Sequence, residues 1–264
     1  MKNLFLIVIA LLSFILIGCN EDDDSSMVGT AKVELRLTDA PAQYEEVNID
    51  VQKIVFKMNG DDDIHFPLEN PGIYNLLELN NGIDVLLGES DLPVGSISQI
   101  RLILGENNTI KVDGVVHPLH TPSAQQSGLK VNVHYTLEPD MVYQIWLDFD
   151  AGKSIVERGN GTYGLKPVIR AFTDLTNGMI EGIVLPQESL TTVYAIQNTQ
   201  DTIAVAIPNP DGYFRFSGLE EGVYDLNFNP ANPVFEPLDI NDVQVTFGTT
   251  NNPGQSIMQP YIKN

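Results

Sequence analysis

The chain has 264 residues, of which 35 are Asp or Glu and 14 are Lys or Arg, giving a formal charge of −21 and a pI near 4.3. A surface of this sign repels phosphate backbones, and no basic stretch interrupts it, which argues against nucleic-acid partners. The 43% hydrophobic content is typical of a globular chain, and the single Cys rules out intramolecular disulfides and multi-thiolate metal sites.

The N-terminus has the pattern of a secretory signal. Lys2 precedes an apolar run over residues 4–17 that only Ser13 interrupts. A helix of that length spans about 21 Å, too short for a hydrocarbon core of about 30 Å, so the run favours a signal-peptide core over a permanent anchor. The run ends in Leu16-Ile17-Gly18-Cys19, which resembles a bacterial lipobox. The resemblance implies that residues 1–18 are a lipoprotein signal peptide and that Cys19 carries the lipid and its palmitate-type acyl chains. The alternative is an ordinary secretory signal with a chance cysteine.

Residues 19–30 follow as an acidic segment that includes Glu21-Asp22-Asp23-Asp24. Four adjacent carboxylates cannot pack into a core, so we expect a solvated, flexible tether. An acidic run directly behind a lipidated cysteine also resembles the export signal of Bacteroidetes-type surface lipoproteins. The resemblance implies a protein that is lipid-anchored in the outer membrane and faces the cell exterior.

From Ala31 onward the pattern is one of short strands separated by turns. Lys32 to Thr38 alternates strictly between apolar and polar residues, as in a half-buried strand. Apolar residues occupy odd positions over 47–51 and even positions over 54–58, and this slip predicts a β-bulge near Gln52-Lys53. Asp113-Gly114 lies between two short apolar runs and predicts a hairpin. Only residues 73–79 or 83–87 offer a short helix.

The second half repeats this organisation without repeating the sequence. No Pro- or Ser-rich linker separates the halves, so we place a boundary within residues 174–178 and predict two closely joined domains, 31–175 and 176–264. Both are expected to be β-sandwich-like, which makes the protein all-β. The strand candidates of the second half are residues 180–185, 191–197, 202–207, 213–217, 223–228 and 243–247.

The first domain contains a series of distinctive motifs, among them Leu37-Thr38-Asp39-Ala40-Pro41, Leu147-Asp148-Phe149-Asp150-Ala151 and Leu165-Lys166-Pro167-Val168-Ile169-Arg170. Over residues 31–173 this series resembles a bacterial family of lipoprotein domains of unassigned function. The resemblance implies an exported, membrane-anchored, all-β domain and brings no known activity.

The distinctive motifs of the second domain are Gly182-Ile183-Val184 and the run from Asp211-Gly212 to Leu226. They resemble the carboxypeptidase-regulatory-like, transthyretin-type sandwich modules, which are grouped with carbohydrate-binding-like folds. It implies a core of Phe214, Phe216, Leu219, Tyr224 and Leu226, and it assigns no ligand.

The candidates for metal binding or catalysis are Asp39, Asp148 and Asp150. Asp148 and Asp150 are two apart and therefore share one face of a strand. With Asp39 they offer oxygen ligands for Ca²⁺, the one cofactor considered, or a carboxylate pair for hydrolysis. The alternative is that they accept backbone hydrogen bonds in tight turns.

Trp146 and Tyr213 are the candidate ligand-binding residues. Trp146 shares its strand face with Gln144 and Asp148, and glycan sites combine aromatic rings with amides and carboxylates. Tyr213 is expected to face outward beside Arg215, and its alternative role is cross-strand packing.

These patterns favour a non-enzymatic surface lipoprotein that acts in adhesion or ligand binding, with a carbohydrate or an envelope protein as ligand. The alternatives are a hydrolase that uses the three carboxylates and a purely structural spacer. Carboxylates converging in a deep cleft would favour the hydrolase, and flat sheet faces would favour binding.

Overall fold

The computed structural model describes residues 29–58, 62–121, 127–159, 161–198 and 201–260. The predicted signal peptide, Cys19 and nearly all of the acidic tether lie outside the described residues. Within these ranges no helix is both long enough and apolar enough to cross a membrane.

In the described part of the chain before residue 175 there are thirteen strands, and they form two sheets. The first sheet has the order β13-β10-β1-β5, and β1 runs parallel to β10. In the second sheet the long strand β2 pairs with β6 and β7 on one side and with β3 and β4 on the other. The strands are β1 (Thr30–Ala40), β2 (Glu46–Met58), β3 (Asp62–Phe66), β4 (Gly72–Asn75), β5 (Val85–Pro93), β6 (Gly95–Leu104), β7 (Thr109–Val112), β8 (Val115–His120), β9 (Leu129–Leu137), β10 (Val142–Asp150), β11 (Ile155–Glu157), β12 (Tyr163–Leu165) and β13 (Ile169–Thr173).

Alternation along the strands builds the core between these two sheets. Val33, Leu35 and Leu37 of β1 are fully buried and belong to the same apolar cluster as Ile100 and Leu102 of β6. Side chains two residues apart on a strand lie on one face, so one side of each sheet is apolar and the sheets pack face to face. This arrangement confirms the predicted all-β sandwich.

Two local predictions are confirmed as well. The pairing of β2 with β6 shifts register between Val51 and Lys53, where the bulge was expected. Asp113 and Gly114 join β7 to β8 as a two-residue hairpin loop, with φ values of 50° and 74°. Positive φ at both central positions is the geometry of the hairpin-favouring type I′ turn.

The predicted short helix is wrong for residues 83–87, which lead into strand β5. For residues 73–79 the structure shows the strand β4 followed by a single 3₁₀ turn, Leu76–Glu78, capped by the Asn75 side chain. Among the described residues the one α-helix, α1 (Ala151–Ser154), is one turn long and is capped by Asp150. A single turn fits here because the chain must leave β10 and enter β11 immediately.

The rest of the chain forms a second sandwich around its own apolar cluster. Its sheets have the orders β17-β14-β20, with β21 also on β14, and β16-β15-β18-β19. Phe214, Phe216, Leu219, Tyr224 and Leu226 are all buried in this core, as predicted. The strands are β14 (Gly178–Leu185), β15 (Thr191–Gln197), β16 (Asp201–Ala206), β17 (Tyr213–Leu219), β18 (Gly222–Pro230), β19 (Leu238–Val245), β20 (Thr250–Asn251) and β21 (Gln255–Ile257).

The last predicted strand, residues 243–247, corresponds to β19, which begins earlier and ends at Val245. The domain boundaries and the transthyretin-type subclass stay predictions.

Candidate functional site

The outer face of the first sheet meets the second sandwich, and the site lies between them. Register places Arg36 of β1 beside Trp146 of β10, and Trp146 beside Phe172 of β13. Asp148 of β10 lies beside Arg170 of β13 on the same outer face. The even-numbered residues of β10 thus turn away from the core and toward β16 and β17.

Arg170 joins the two sandwiches. Its Nε donates to Asp148 at 2.7 Å, and its two terminal nitrogens donate to the carbonyls of Ser217 and Gly218 at 3.1 and 3.2 Å. The Asn177 side chain donates to the same Gly218 carbonyl at 3.2 Å. A planar guanidinium can satisfy these three acceptors at once because its donors diverge in a fixed fork.

A groove remains open beside these contacts, in two adjoining parts. The first part is a cleft of about 390 Å³ and the second a cleft of about 280 Å³. Both are lined by residues of both sandwiches, and they share Thr38, Gly82, Arg215 and Ser217. We call the two clefts together the junction groove. The sequence left open whether the candidate site would be a deep cleft or a flat sheet face, and in the structure the site is a cleft.

Asp39 lines the first cleft from an unexpected side. Its neighbour in register on β10 is Phe149, so it points to the core face of β1, whereas Asp148 and Asp150 lie on the outer face. It is 5% exposed, and one of its carboxyl oxygens accepts a hydrogen bond from the Ala151 N–H at 2.9 Å. Burial, with a smaller contribution from the charges of Asp148 and Asp150, raises the pKa of Asp39 to about 9. Asp39 is therefore a neutral acid at pH 7.

Asp148 and Asp150 also line the first cleft, and each already has a cationic partner. Burial raises the pKa of Asp148, and the adjacent Arg170 opposes that rise. Asp150 lies 2.8 Å from the Lys153 ammonium, and it caps α1 by accepting from the Lys153 N–H at 2.9 Å. Two of the three carboxyls, Asp39 and Asp150, thus accept the backbone hydrogen bonds that the alternative reading expected.

Among the residues that the structure describes, no three His, Cys, Asp or Glu side chains are grouped as a metal site. Asp39, Asp148 and Asp150, the predicted calcium set, line one cleft without forming such a group, and calcium binding by them stays a prediction.

Trp146 lines the second cleft and is partly buried there. Its ring is stacked on Phe172 with centroids 5.4 Å apart and planes 6° from parallel, and its indole N–H donates to Asp84 at 3.0 Å. Asp84 also accepts from Arg36 at 2.7 Å. The cleft wall therefore combines an aromatic pair with a fixed carboxylate and with the Gln144 amide.

Tyr213 does not line either cleft. It lies at the start of β17, where its hydroxyl donates to Glu181 on the neighbouring strand β14 at 2.9 Å. Burial raises its pKa, and the hydrogen bond to Glu181 adds to the rise. The structure does not bring Tyr213 and Trp146 into one site.

Polar atoms without partners are concentrated at this junction. Four of the five such buried atoms in the described part of the chain belong to residues that line the junction groove. The fifth belongs to Arg36, which is bonded to the groove residue Asp84. Buried polar groups are normally hydrogen-bonded, so their concentration here marks a place where polar partners can be supplied from outside the chain. The atoms are Arg36 Nε, Asp39 Oδ2, Asn81 Oδ1, Asp174 Oδ1 and Arg215 Nε.

Sequence reasoning missed Asp84, Asn81, Phe172 and Asp174 as groove residues. The one signal available was the Asn81-Gly82 pair, which was recognised only as a turn. In the structure this turn carries the Asn81 side chain to the carbonyl of Ile207 at 2.9 Å, across the junction.

These features define a class: an all-β protein of two packed sandwiches with a polar groove at their junction. Residues 30–167 match the family described as a domain of unknown function, DUF4382, and the chain belongs to this family. No curated protein matches the chain.

Among solved structures, a cohesin–X-dockerin complex from Acetivibrio cellulolyticus is 18% identical, with 31% of this chain and 58% of that chain covered and a TM-score of 0.26. The minor pilin GBS52 of Streptococcus agalactiae is 9% identical over 88% of this chain and 98% of that chain, with a TM-score of 0.24. The shaft pilin spaA of Lactobacillus rhamnosus GG is 8% identical over 89% and 99%, with a TM-score of 0.25. The chain thus spans less than two thirds of the cohesin-complex chain. Scores this low support no conclusion about function or partners.

Proposed function

We propose that the protein is a non-catalytic binding module of the cell envelope, anchored through a lipid on Cys19 and exposed on the outer membrane. Its ligand, a carbohydrate or an envelope protein, binds in the junction groove. The observation that carries the proposal is the concentration of unpartnered buried polar atoms around a groove with an aromatic wall. Ligand pockets commonly combine an apolar surface with a few converging polar groups.

A carbohydrate fits these features in particular. Each hydroxyl of a sugar can both donate and accept a hydrogen bond, so sugar hydroxyls suit the polar side chains of the two clefts, among them Asn81 in the first, Asp174 in the second and Arg215 in both. The apolar face of a sugar ring also suits the Trp146 side chain at the second cleft.

A glycan array with purified protein tests this proposal. Trp146→Ala should remove binding, whereas Tyr74→Phe, which changes a tyrosine of β4 outside both clefts, should leave it intact. Thermal melting of both variants separates lost binding from lost folding. Equal binding by wild type and a folded Trp146→Ala variant would place the ligand elsewhere.

The hydrolase alternative rests on a specific pairing, a neutral Asp39 in the same cleft as Asp148 and Asp150. General acid–base sites commonly hold one carboxyl group protonated close to a second carboxyl group that is ionised. The ion pairs of Asp148 with Arg170 and of Asp150 with Lys153 weigh against a free base. Hydrolysis of any array glycan by wild type that is lost in Asp150→Asn would overturn the non-catalytic proposal. The spacer alternative predicts that neither a glycan nor an envelope protein binds at the junction.

A further inference from the structure

Arg215 has an unusual place in this chain. It is the only basic residue among residues 176–260, although that stretch is rich in carboxylates. Its side chain reaches out of β17 into the junction and lines both clefts of the groove. Within residues 176–260 the second sandwich therefore places its one positive charge at the site.

That charge has no carboxylate partner. Arg36, Lys153 and Arg170 at the junction each form an ion pair, whereas Arg215 forms none with any described carboxylate. Glu181, its neighbour on β14, instead accepts from the Tyr213 hydroxyl. The Arg215 Nη2 contacts the sulfur of Met179, and its Nε is buried with no acceptor. A partly buried guanidinium without an anion is costly, so such a residue favours an anion supplied by another molecule.

The chain is shaped to keep Arg215 in this position. A Cβ atom on Gly82 would lie 2.4 Å from the Arg215 Cδ, so a larger residue at that point of the turn would displace the Arg215 side chain. Gly82 also has a φ of 80°, which glycine adopts without strain. The Asn81-Gly82 turn of the first sandwich thus packs against the side chain of Arg215 from the second sandwich.

We propose that the junction groove binds a saccharide that carries a carboxylate, with Arg215 as the residue that recognises the acidic group. The inference rests on the proposed function and names its ligand class. The Arg215 guanidinium lines both clefts and can donate to the carboxylate through its terminal nitrogens. Polar side chains that line the clefts, among them Asn81 and Asp174, bond to sugar hydroxyls, and Trp146 lies along the ring.

The charge of the whole chain narrows the ligand further. A formal charge of −21 repels a polyanion over distances of a Debye length, whereas one carboxylate held at Arg215 gains the short-range pairing. The ligand is therefore an otherwise neutral glycan with an isolated uronic acid, rather than a polyuronate.

The test compares the binding of matched pairs of glycans, in which one member is the neutral sugar and the other is its uronic-acid form. The pairs are first screened on an array. Calorimetry then measures the affinities for cellobiose and cellobiouronic acid. We expect wild type to favour the uronic-acid form by at least about tenfold, since a charge-assisted hydrogen bond contributes that much. Arg215→Gln should remove the preference, and Arg215→Lys should restore part of it. Arg101→Gln, which breaks an ion pair with Asp63 away from the groove, should leave it unchanged.

Three results would overturn the inference in different ways. Equal affinity of wild type for both members of each pair would show that the carboxylate is not recognised, while the groove would still be a carbohydrate site. A preference that persists in a folded Arg215→Gln variant assigns the acidic group to another residue. Binding of an envelope protein without any glycan binding would show that the ligand is not a saccharide, while the protein would still be a binding module.

Discussion

The guanidinium of Arg170 donates to the main-chain carbonyl of Gly218 at 3.2 Å, across the boundary between the two sandwiches. Arg170 belongs to the last strand of the first sandwich, and it also pairs with Asp148 on the adjacent strand. This side chain thus joins the second sandwich to a face of the first beside the junction groove, together with the Asn81 bond to Ile207.

Replacing Arg170 with alanine should loosen this junction. The change removes two hydrogen bonds to β17 and the ion pair with Asp148, and because the side chain is partly exposed we expect a loss of about 1–2 kcal/mol. Calorimetry should then resolve two thermal transitions, and small-angle scattering should show a broader distance distribution. Arg170→Lys keeps the positive charge but lacks the diverging donors of the guanidinium, so its stability should lie between that of wild type and that of Arg170→Ala. Unchanged melting and scattering in Arg170→Ala would contradict this role.

Gly218→Ala should disturb the same contact by a different route. A Cβ atom there would lie 2.5 Å from the Phe172 ring, and Gly218 has a φ of 68°. Gly114 has a φ of 74° and open space around it, so Gly114→Ala measures the backbone strain alone, about 1 kcal/mol. We expect Gly218→Ala to cost about 1–3 kcal/mol more than this control, because overpacking adds to strain. Equal losses of unfolding free energy for the two variants would mean that the Phe172 contact relaxes freely.

Asp39→Asn should change how stability depends on pH. The raised pKa, about 9, means that the folded protein holds a proton that the unfolded chain releases above its ordinary pKa. The stabilising contribution is therefore complete at low pH and is lost as the pH rises toward 9, with a slope of about 1.4 kcal/mol per pH unit for one proton. Asparagine cannot ionise, so the variant should lose that slope and become the more stable protein at pH 8–9.

Denaturant unfolding from pH 5 to pH 9 measures the effect. Asp63→Asn, at an exposed ion pair with Arg101, serves as the comparison. Parallel curves for wild type and Asp39→Asn would show that Asp39 is ionised in the folded protein.

Cys19→Ser should release the protein from the membrane. Several acyl chains contribute about 0.8 kcal/mol for each buried CH₂ group, which makes such an anchor essentially permanent. We expect the variant in the soluble fraction and without incorporated palmitate label, whereas Ser25→Ala should remain membrane-bound. Protease treatment of intact cells tests exposure on the same samples, and a fully protected wild-type protein would contradict the outward-facing location.

Much of the fold follows from the sequence alone. The strict alternation of Lys32–Thr38 predicted β1, the shift of apolar positions predicted the bulge at Val51–Lys53, and Asp113-Gly114 predicted its hairpin. These features depend on residues close together in the chain, so a local pattern is enough to identify them.

The groove could not be predicted in the same way, because Gly82, Trp146, Phe172 and Arg215 meet only through sheet order and the packing of two sandwiches. The parallel pairing of β1 with β10 is also a long-range property. It places Asp39 opposite Phe149 and so turns Asp39 away from Asp148, which is why the three carboxylates do not form the predicted cluster.

Filling the junction groove tests its role as the ligand site most directly. Ser217 lines both clefts, so a phenylalanine there occupies the space where they meet, whereas Ser98 is exposed on β6 away from the groove. Calorimetric titration of the best array glycan should show binding to Ser217→Phe that is weaker by at least about tenfold, and unchanged binding to Ser98→Phe. Wild-type affinity in a folded Ser217→Phe variant would contradict a ligand site at the junction.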